Sequence, residues 1–218
     1  MASVEILAPG RLEKSDDGNI IWTSVCLITA DDGAWLFDVG EFHQRLTVRR
    51  RLAERGLRPE DIGRVVLSHL HWDHALNFEM FPRATFMVAR AEWQAAAAMP
   101  PRDIATPAFL LPALRKAARV VMVEDEAWPA DVRPIPSPGH TAGHLAMAVQ
   151  TESGRVVLAG DACPTQDSLT AAAPEPIFFD RDLAIASRDH LVSLADILVP
   201  GHGLPFRVST GETVGRRL

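Results

Sequence analysis

At 218 residues the chain has room for one well-buried domain, expected to span 1–218, and little room for a second. Its 47% hydrophobic and 23% charged residues are those of an ordinary globular protein. A formal net charge of -6 argues against nucleic acid as a partner, because phosphate binding needs clustered Lys and Arg. Along the chain, short runs rich in Val, Ile and Leu predict strands over 20–29, 34–39, 64–68, 85–88, 120–123, 144–150, 155–159 and 197–199. Asp31-Asp32-Gly33 and Ser153-Gly154 are the expected hairpin turns. Helical patterns cover 44–55, closed by Gly56, a segment from near Ala89 to Ala98, and 180–194. Residues 99–112 carry Pro100, Pro101, Pro107 and Pro112 beside Phe109, Leu110 and Leu111, which predicts an irregular, partly apolar loop. That loop could cover a substrate chain, anchor onto the core or form a homodimer contact. Strands, then helices, then strands again suggest two sheets covered outside by helices.

Met1-Ala2-Ser3-Val4-Glu5 lacks the basic start and apolar stretch of a secretory signal. No apolar run approaches the roughly 20 residues needed to cross a bilayer. Cys26 and Cys163 are far apart and imply no disulfide framework. The expectation is a cytoplasmic protein without a membrane partner.

The informative string is Ser68-His69-Leu70-His71-Trp72-Asp73-His74, which follows a strand-like Arg-Val-Val-Leu and precedes a helical pattern. Four ligand-type side chains in six residues can converge on one cleft, because a loop at a strand end frees them from strict alternation. Imidazole with carboxylate suits zinc, with iron and manganese left open. Three more candidates sit in turns beside glycine: His140 in Ser137-Pro138-Gly139-His140-Thr141-Ala142-Gly143-His144, Asp161 after Gly160, and His202 between Gly201 and Gly203.

This pattern resembles the metallo-β-lactamase-fold superfamily, with its His-x-His-x-Asp-His, lone His, lone Asp and final His. The resemblance runs from Leu36-Phe37-Asp38-Val39-Gly40 to Gly201-His202-Gly203. It implies an α/β (α+β) four-layer αβ/βα sandwich with two metal ions at the sheet edge. His69, His71 and His140 would hold one ion, Asp73, His74 and His202 the other, and Asp161 would bridge them. Asp38 would support the ligands from behind, or is a turn-forming Asp after a strand.

Two divalent ions sharing a water lower its pKa toward neutrality. The bridging hydroxide would attack an electrophilic carbon or phosphorus, and Asp73 would act as the catalytic residue that orients it or passes its proton to the leaving atom. Within the superfamily the chain most resembles N-acyl homoserine lactonases, through residues 67–75, Ala89-Arg90-Ala91-Glu92-Trp93, residues 139–144 and Asp161-Ala162-Cys163-Pro164-Thr165. The implied reaction is hydrolysis of a small ester, lactone or related acyl substrate. A compact phosphodiesterase or nuclease of the same fold is the alternative, and a catalytically silent metal-binding protein a third reading. One departure stands out: the lactonase pattern has a tyrosine three residues after the bridging Asp, whereas this chain has Pro164 there and no tyrosine at all. Such a donor is worth roughly 3–4 kcal/mol in a well-studied hydrolase.

Other residues have blander readings beside functional ones. Trp72 lines the cleft or packs in the core, and Trp93 is expected in the core. Phe178 and Phe179 are candidate pocket walls. His43 and His190 lack ligand spacing and read as solvated or structural, with His144 behind the ligands at best. Arg45, Arg49, Arg50, Arg51 and Arg55 read as a solvated helix face. Cys163 reads as a small buried residue rather than a nucleophile.

Overall fold

Side chains alternate along the strands between two environments, and that alternation builds the layers. The computed structural model describes residues 1–99 and 104–218. The chain opens with β1 (Ser3–Ala8), β2 (Arg11–Ser15), β3 (Gly18–Trp22), β4 (Val25–Ala30) and β5 (Gly33–Phe37). Next come α1 (Arg45–Ala53), β6 (Arg64–Val66), the short α2 (Trp72–Ala75), β7 (Thr85–Val88) and α3 (Arg90–Ala98). The rest runs α4 (Leu110–Ala117), β8 (Arg119–Met122), β9 (Val132–Pro136), β10 (Leu145–Thr151), β11 (Gly154–Gly160), α5 (Arg181–Leu194), β12 (Ile197–Pro200) and β13 (Phe206–Arg207).

One sheet has the order β1-β4-β5-β6-β7-β8, the other β13-β12-β11-β10-β9, and β2 with β3 forms a separate hairpin. In β5, Leu36 points to the cluster that holds Val48 and Leu52 of α1 and Leu110 and Leu114 of α4. Its neighbours Trp35 and Phe37 point the other way, to Met147, Leu158 and Val199 of the second sheet. In β10 the same alternation sends Leu145, Met147 and Val149 between the sheets, and Ala146 and Ala148 outward to the cluster holding Leu191 of α5. The result is the expected αβ/βα sandwich: helices, sheet, sheet, helix. Among the described residues no helix is long and apolar enough to cross a membrane.

Two expectations need correction. The strand predicted over 20–29 is broken at Thr23-Ser24, where Ser24 donates its N–H to Gly201 O (2.7 Å) and its hydroxyl to Pro200 O (3.0 Å). The segment 99–112 is not irregular throughout, because α4 begins at Leu110 and buries Leu110 and Leu111, leaving Phe109 exposed. Pro112 is tolerated as the third residue of that helix, where the N–H has no acceptor within the helix. Pro100 and Pro101 of this segment lie outside the described residues. The turns at Gly33 and Gly154 do join antiparallel strands, and Asp180 caps α5 through Leu183 N (2.9 Å).

Candidate metal centre

Strand ends bring the ligand candidates together. The chain leaves β6 at Val66 and runs through His69 to His71, whose extended backbone starts α2; that helix carries Asp73 and His74. β11 and β12 pair in parallel, so Asp161 after β11 and His202 after β12 emerge at the same end. His140 comes from the loop between β9 and β10. Close approach requires glycine at 201: a Cβ there would lie 2.1 Å from Asp161 Oδ1.

All seven side chains are buried and meet in one place. His140 Nε2 lies 3.1 Å from His71 Nδ1 and 3.4 Å from Asp161 Oδ2. His202 Nε2 lies 3.0 Å from Asp161 Oδ1 and 3.7 Å from Asp73 Oδ2. His74 Nε2 is 3.4 Å from Asp161 Oδ1 and 3.6 Å from Asp73 Oδ2. Three groups have ligand atoms within 4.8 Å of one another: His69, His71 and His140; His69, His74 and Asp161; and Asp73, His74 and His202.

The partners behind these rings decide which nitrogen faces inward. His140 Nδ1–H donates to Pro176 O (2.7 Å) and His202 Nδ1–H to Trp22 O (2.9 Å), since a carbonyl can only accept. His74 Nδ1–H donates to Asp38 Oδ2 (2.8 Å). Ser68 Oγ gives its proton to the same oxygen (2.8 Å) and so accepts from His69 Nδ1 (2.9 Å). The Nε2 atoms of His69, His74, His140 and His202 are thereby the ones turned to the centre, where a cation would take their lone pairs in place of any proton. Asp38 also accepts from Ser68 N (2.7 Å) and is the described non-glycine residue with a left-handed backbone (φ 58). Its expected supporting place is the observed one.

Electrostatics divides the site. Burial, reinforced by neighbouring imidazoles, holds His69 and His71 well below the usual histidine range, and burial lowers His140. For His74 and His202 burial also opposes charge, but Asp161 and Asp73 outweigh it for both, with Asp38 added for His74, and raise them. Burial opposes ionisation of Asp161 too, yet His202, His74 and His140 hold its carboxyl well below the usual range. Behind it, burial pushes His144 down to about 3, in keeping with its neutral ring. His144 Nε2 accepts the Asp161 N–H (3.0 Å), and its Nδ1 lies 2.8 Å from Ser137 Oγ.

The donor set fits divalent ions on grounds internal to the site. His69 Nε2, His74 Nε2, Asp73 Oδ2 and Asp161 Oδ1 are buried without a hydrogen-bond partner. Four such atoms crowded together are costly unless something binds them, and imidazole with carboxylate is a zinc-type set.

Other candidates lie elsewhere. His190 is exposed on α5, and His43 pairs with Glu41 and packs edge-on to Trp22 (ring centroids 4.5 Å apart). Trp93 packs against the first core, while Trp72 is half-buried at the start of α2. Cys163 is buried, its thiol 3.4 Å from Thr165 O, and Arg51 and Arg55 of the basic run pair with Glu54 and Glu5. Phe178, left open by the sequence, has its ring 4.9 Å from that of His71 and 5.3 Å from that of His140. Pro164, where the lactonase pattern has tyrosine, accepts the His202 N–H through its carbonyl (2.7 Å). Sequence reasoning assigned nothing to Ser68, Ser137 or Glu92; the signal available for each was its place inside a motif already noted.

The chain matches the metallo-beta-lactamase superfamily model over residues 23–202. Metallo-beta-lactamase domain-containing protein 1 of Mus musculus is 32% identical over 212 residues, which cover 93% of this chain and 70% of that protein. The N-acyl homoserine lactonase of Bacillus cereus is 31% identical over 160 residues, covering 73% of this chain and 60% of the lactonase. Among solved structures, a variant of Bacillus thuringiensis AiiA with N-decanoyl-L-homoserine at its active site has the same fold, with a TM-score of 0.73, 22% identity and 92% of each chain covered. The chain therefore belongs to the metallo-beta-lactamase superfamily of hydrolases, with N-acyl homoserine lactonases among its relatives.

Proposed function

We propose that residues 1–218 form one hydrolase domain that holds two zinc ions and cleaves a small ester, lactone or related acyl substrate. The carrying observation is the convergence of seven buried ligand-type side chains, four of which (His69, Asp73, His74 and Asp161) turn inward an atom that lacks a hydrogen-bond partner. His69, His71 and His140 would hold one ion, Asp73, His74 and His202 the second, and Asp161 both. Bound there, the ions would supply Lewis acidity and a water acidified toward neutral pH.

The chain's own residues do the rest. Asp38, Ser68, Pro176 and Trp22 keep the four imidazoles in one tautomer. Asp73 Oδ2, without a hydrogen bond of its own, can orient the attacking water and take or return a proton at that oxygen. Beside His71 and His140, a cavity of about 110 Å³ is lined by Ala95, Ala96, Met99, Thr141, Phe178 and Phe179 among others. Its mainly apolar wall suits a short acyl group and excludes water from it.

The test is elemental analysis of protein purified without added metal, followed by hydrolysis of an N-acyl homoserine lactone, an aryl ester and a phosphodiester. About two zinc ions per chain with lactone or ester turnover is the expected result. Phosphodiester turnover alone would replace the acyl reading with the nuclease one. Absence of metal, with no activity after reconstitution, would sink the proposal. A metal-replete Asp73→Ala variant with unchanged turnover would remove the proton-handling role.

A further inference from the structure

Glu92 is a buried carboxylate without a cation partner among the described residues, and none of the chemistry above uses it. It is the third residue of α3, where the helix N-terminus favours a negative side chain. Burial raises its carboxyl from the usual range, while hydrogen bonds from Thr141, Leu70 and Gly143 pull the other way. Those bonds come from two separate ligand loops. Oε1 accepts the N–H of Leu70 (3.0 Å), the residue between His69 and His71. Oε2 accepts the hydroxyl of Thr141 (2.7 Å) and the N–H of Gly143 (3.1 Å), which lie on either side of Ala142 just after His140.

The backbone is shaped to allow this. A Cβ on Gly143 would lie 2.0 Å from Glu92 N, so only glycine lets the His140 loop pass so close to α3. The helix is itself anchored by Trp93, which packs into the first core. One carboxylate on a fixed helix thus ties the loop carrying His69 and His71 to the loop carrying His140.

We propose that Glu92 is a positioning residue that clamps these two loops in the register needed for three imidazoles to take one ion. The proposal rests on the metal-site reading above. Glutamine is a sharp probe because each oxygen of Glu92 faces a main-chain N–H. Whichever way the amide turns, its NH2 meets a donor, so the clamp loses one side while size and shape are kept.

The experiment compares the unaltered chain with Glu92→Gln by zinc affinity in chelator competition, melting temperature without metal, and amide hydrogen exchange without metal. Expected are a zinc affinity lower by about 10–100-fold, as for other residues that orient ligands, and faster exchange at the Leu70 or Gly143 amide. Exchange in the β10–β11 hairpin should stay near that of the unaltered chain, and the melting temperature should fall by only a few degrees, the cost of one buried bond left unmade. Unchanged affinity, or a loss of affinity that merely follows faster exchange everywhere, would overturn the proposal. If Glu92→Gln does not fold, Thr141→Val removes a single donor; a smaller loss of zinc affinity supports the clamp, and none overturns it. Zinc uptake by the unaltered chain separates the two readings: no uptake sinks the metal site, whereas uptake insensitive to Glu92→Gln sinks the clamp alone.

Discussion

The two halves of the proposed ligand set are built from similar residues but differ in charge. His69, His71 and His140 are imidazoles that burial and mutual repulsion hold neutral. Around Asp73, His74, Asp161 and His202, carboxylates outweigh burial and raise the two histidines above their usual range. The first half offers a cation lone pairs without net charge. The second offers formal negative charge, but protons must leave as a cation arrives. Asp161 touches both, lying 3.4 Å from His140 Nε2 and 3.0 Å from His202 Nε2.

The largest effect should come from breaking that junction. Asp161→Ala removes the carboxylate proposed to serve both halves, so metal content should fall below one ion per chain and hydrolysis by more than about 100-fold, beyond the usual cost of residues behind the ligands. His71→Ala is the contrasting variant: it opens the neutral half alone, and one ion should remain on the carboxylate half. Elemental analysis of both variants checks the pair. Equal losses from the two would mean that the halves are not separable.

Asp38→Asn sharpens the comparison from behind. The carboxylate holds His74 directly and His69 through Ser68, so it serves one ring from each half. Asparagine can still accept one bond but presents an NH2 where the second oxygen stood. Metal affinity should drop by about 10–100-fold. Chelator competition would show whether both ions loosen, as the shared contact requires, or only the one held by His74.

The cluster of ligand-type side chains was legible because a strand end concentrates it: four members lie within residues 69–74, and the other three sit in turns marked by glycine. The outer strands were not. β2 carries Arg11, Glu13, Lys14 and Ser15 and buries no residue, so no apolar alternation announced it. β9 contains Pro134 and Pro136, which argue against a strand in sequence but are tolerated at a sheet edge, where β9 lies. Glu92 shows a different limit. Its partners are 22, 49 and 51 residues away, and a carboxylate bonded to distant main chain leaves no local periodicity to read. Phe178 likewise meets His71 only because the loop before α5 folds back over the site.

The smallest effect expected concerns Cys163, which is two residues from Asp161 and yet belongs to another environment. It is packed with Ala162, Leu191 and Phe206 in the cluster beneath α5, and burial pushes its thiol up to about 12. At pH 8 the thiolate fraction is then on the order of one in ten thousand, and no electropositive group offsets the burial enough to activate it. Iodoacetamide should therefore leave Cys163 unlabelled in the folded chain over times that label it fully in denaturant. Cys163→Ala should keep the metal content and turnover of the unaltered chain, and lower stability by about 1 kcal/mol for the lost sulfur contacts. Rapid native labelling, or loss of metal in Cys163→Ala, would show that the ligand region reaches past Asp161 into this core. The boundary between charged centre and apolar layer would then lie beyond the place where the hydrogen bonds of Asp161 and His144 put it.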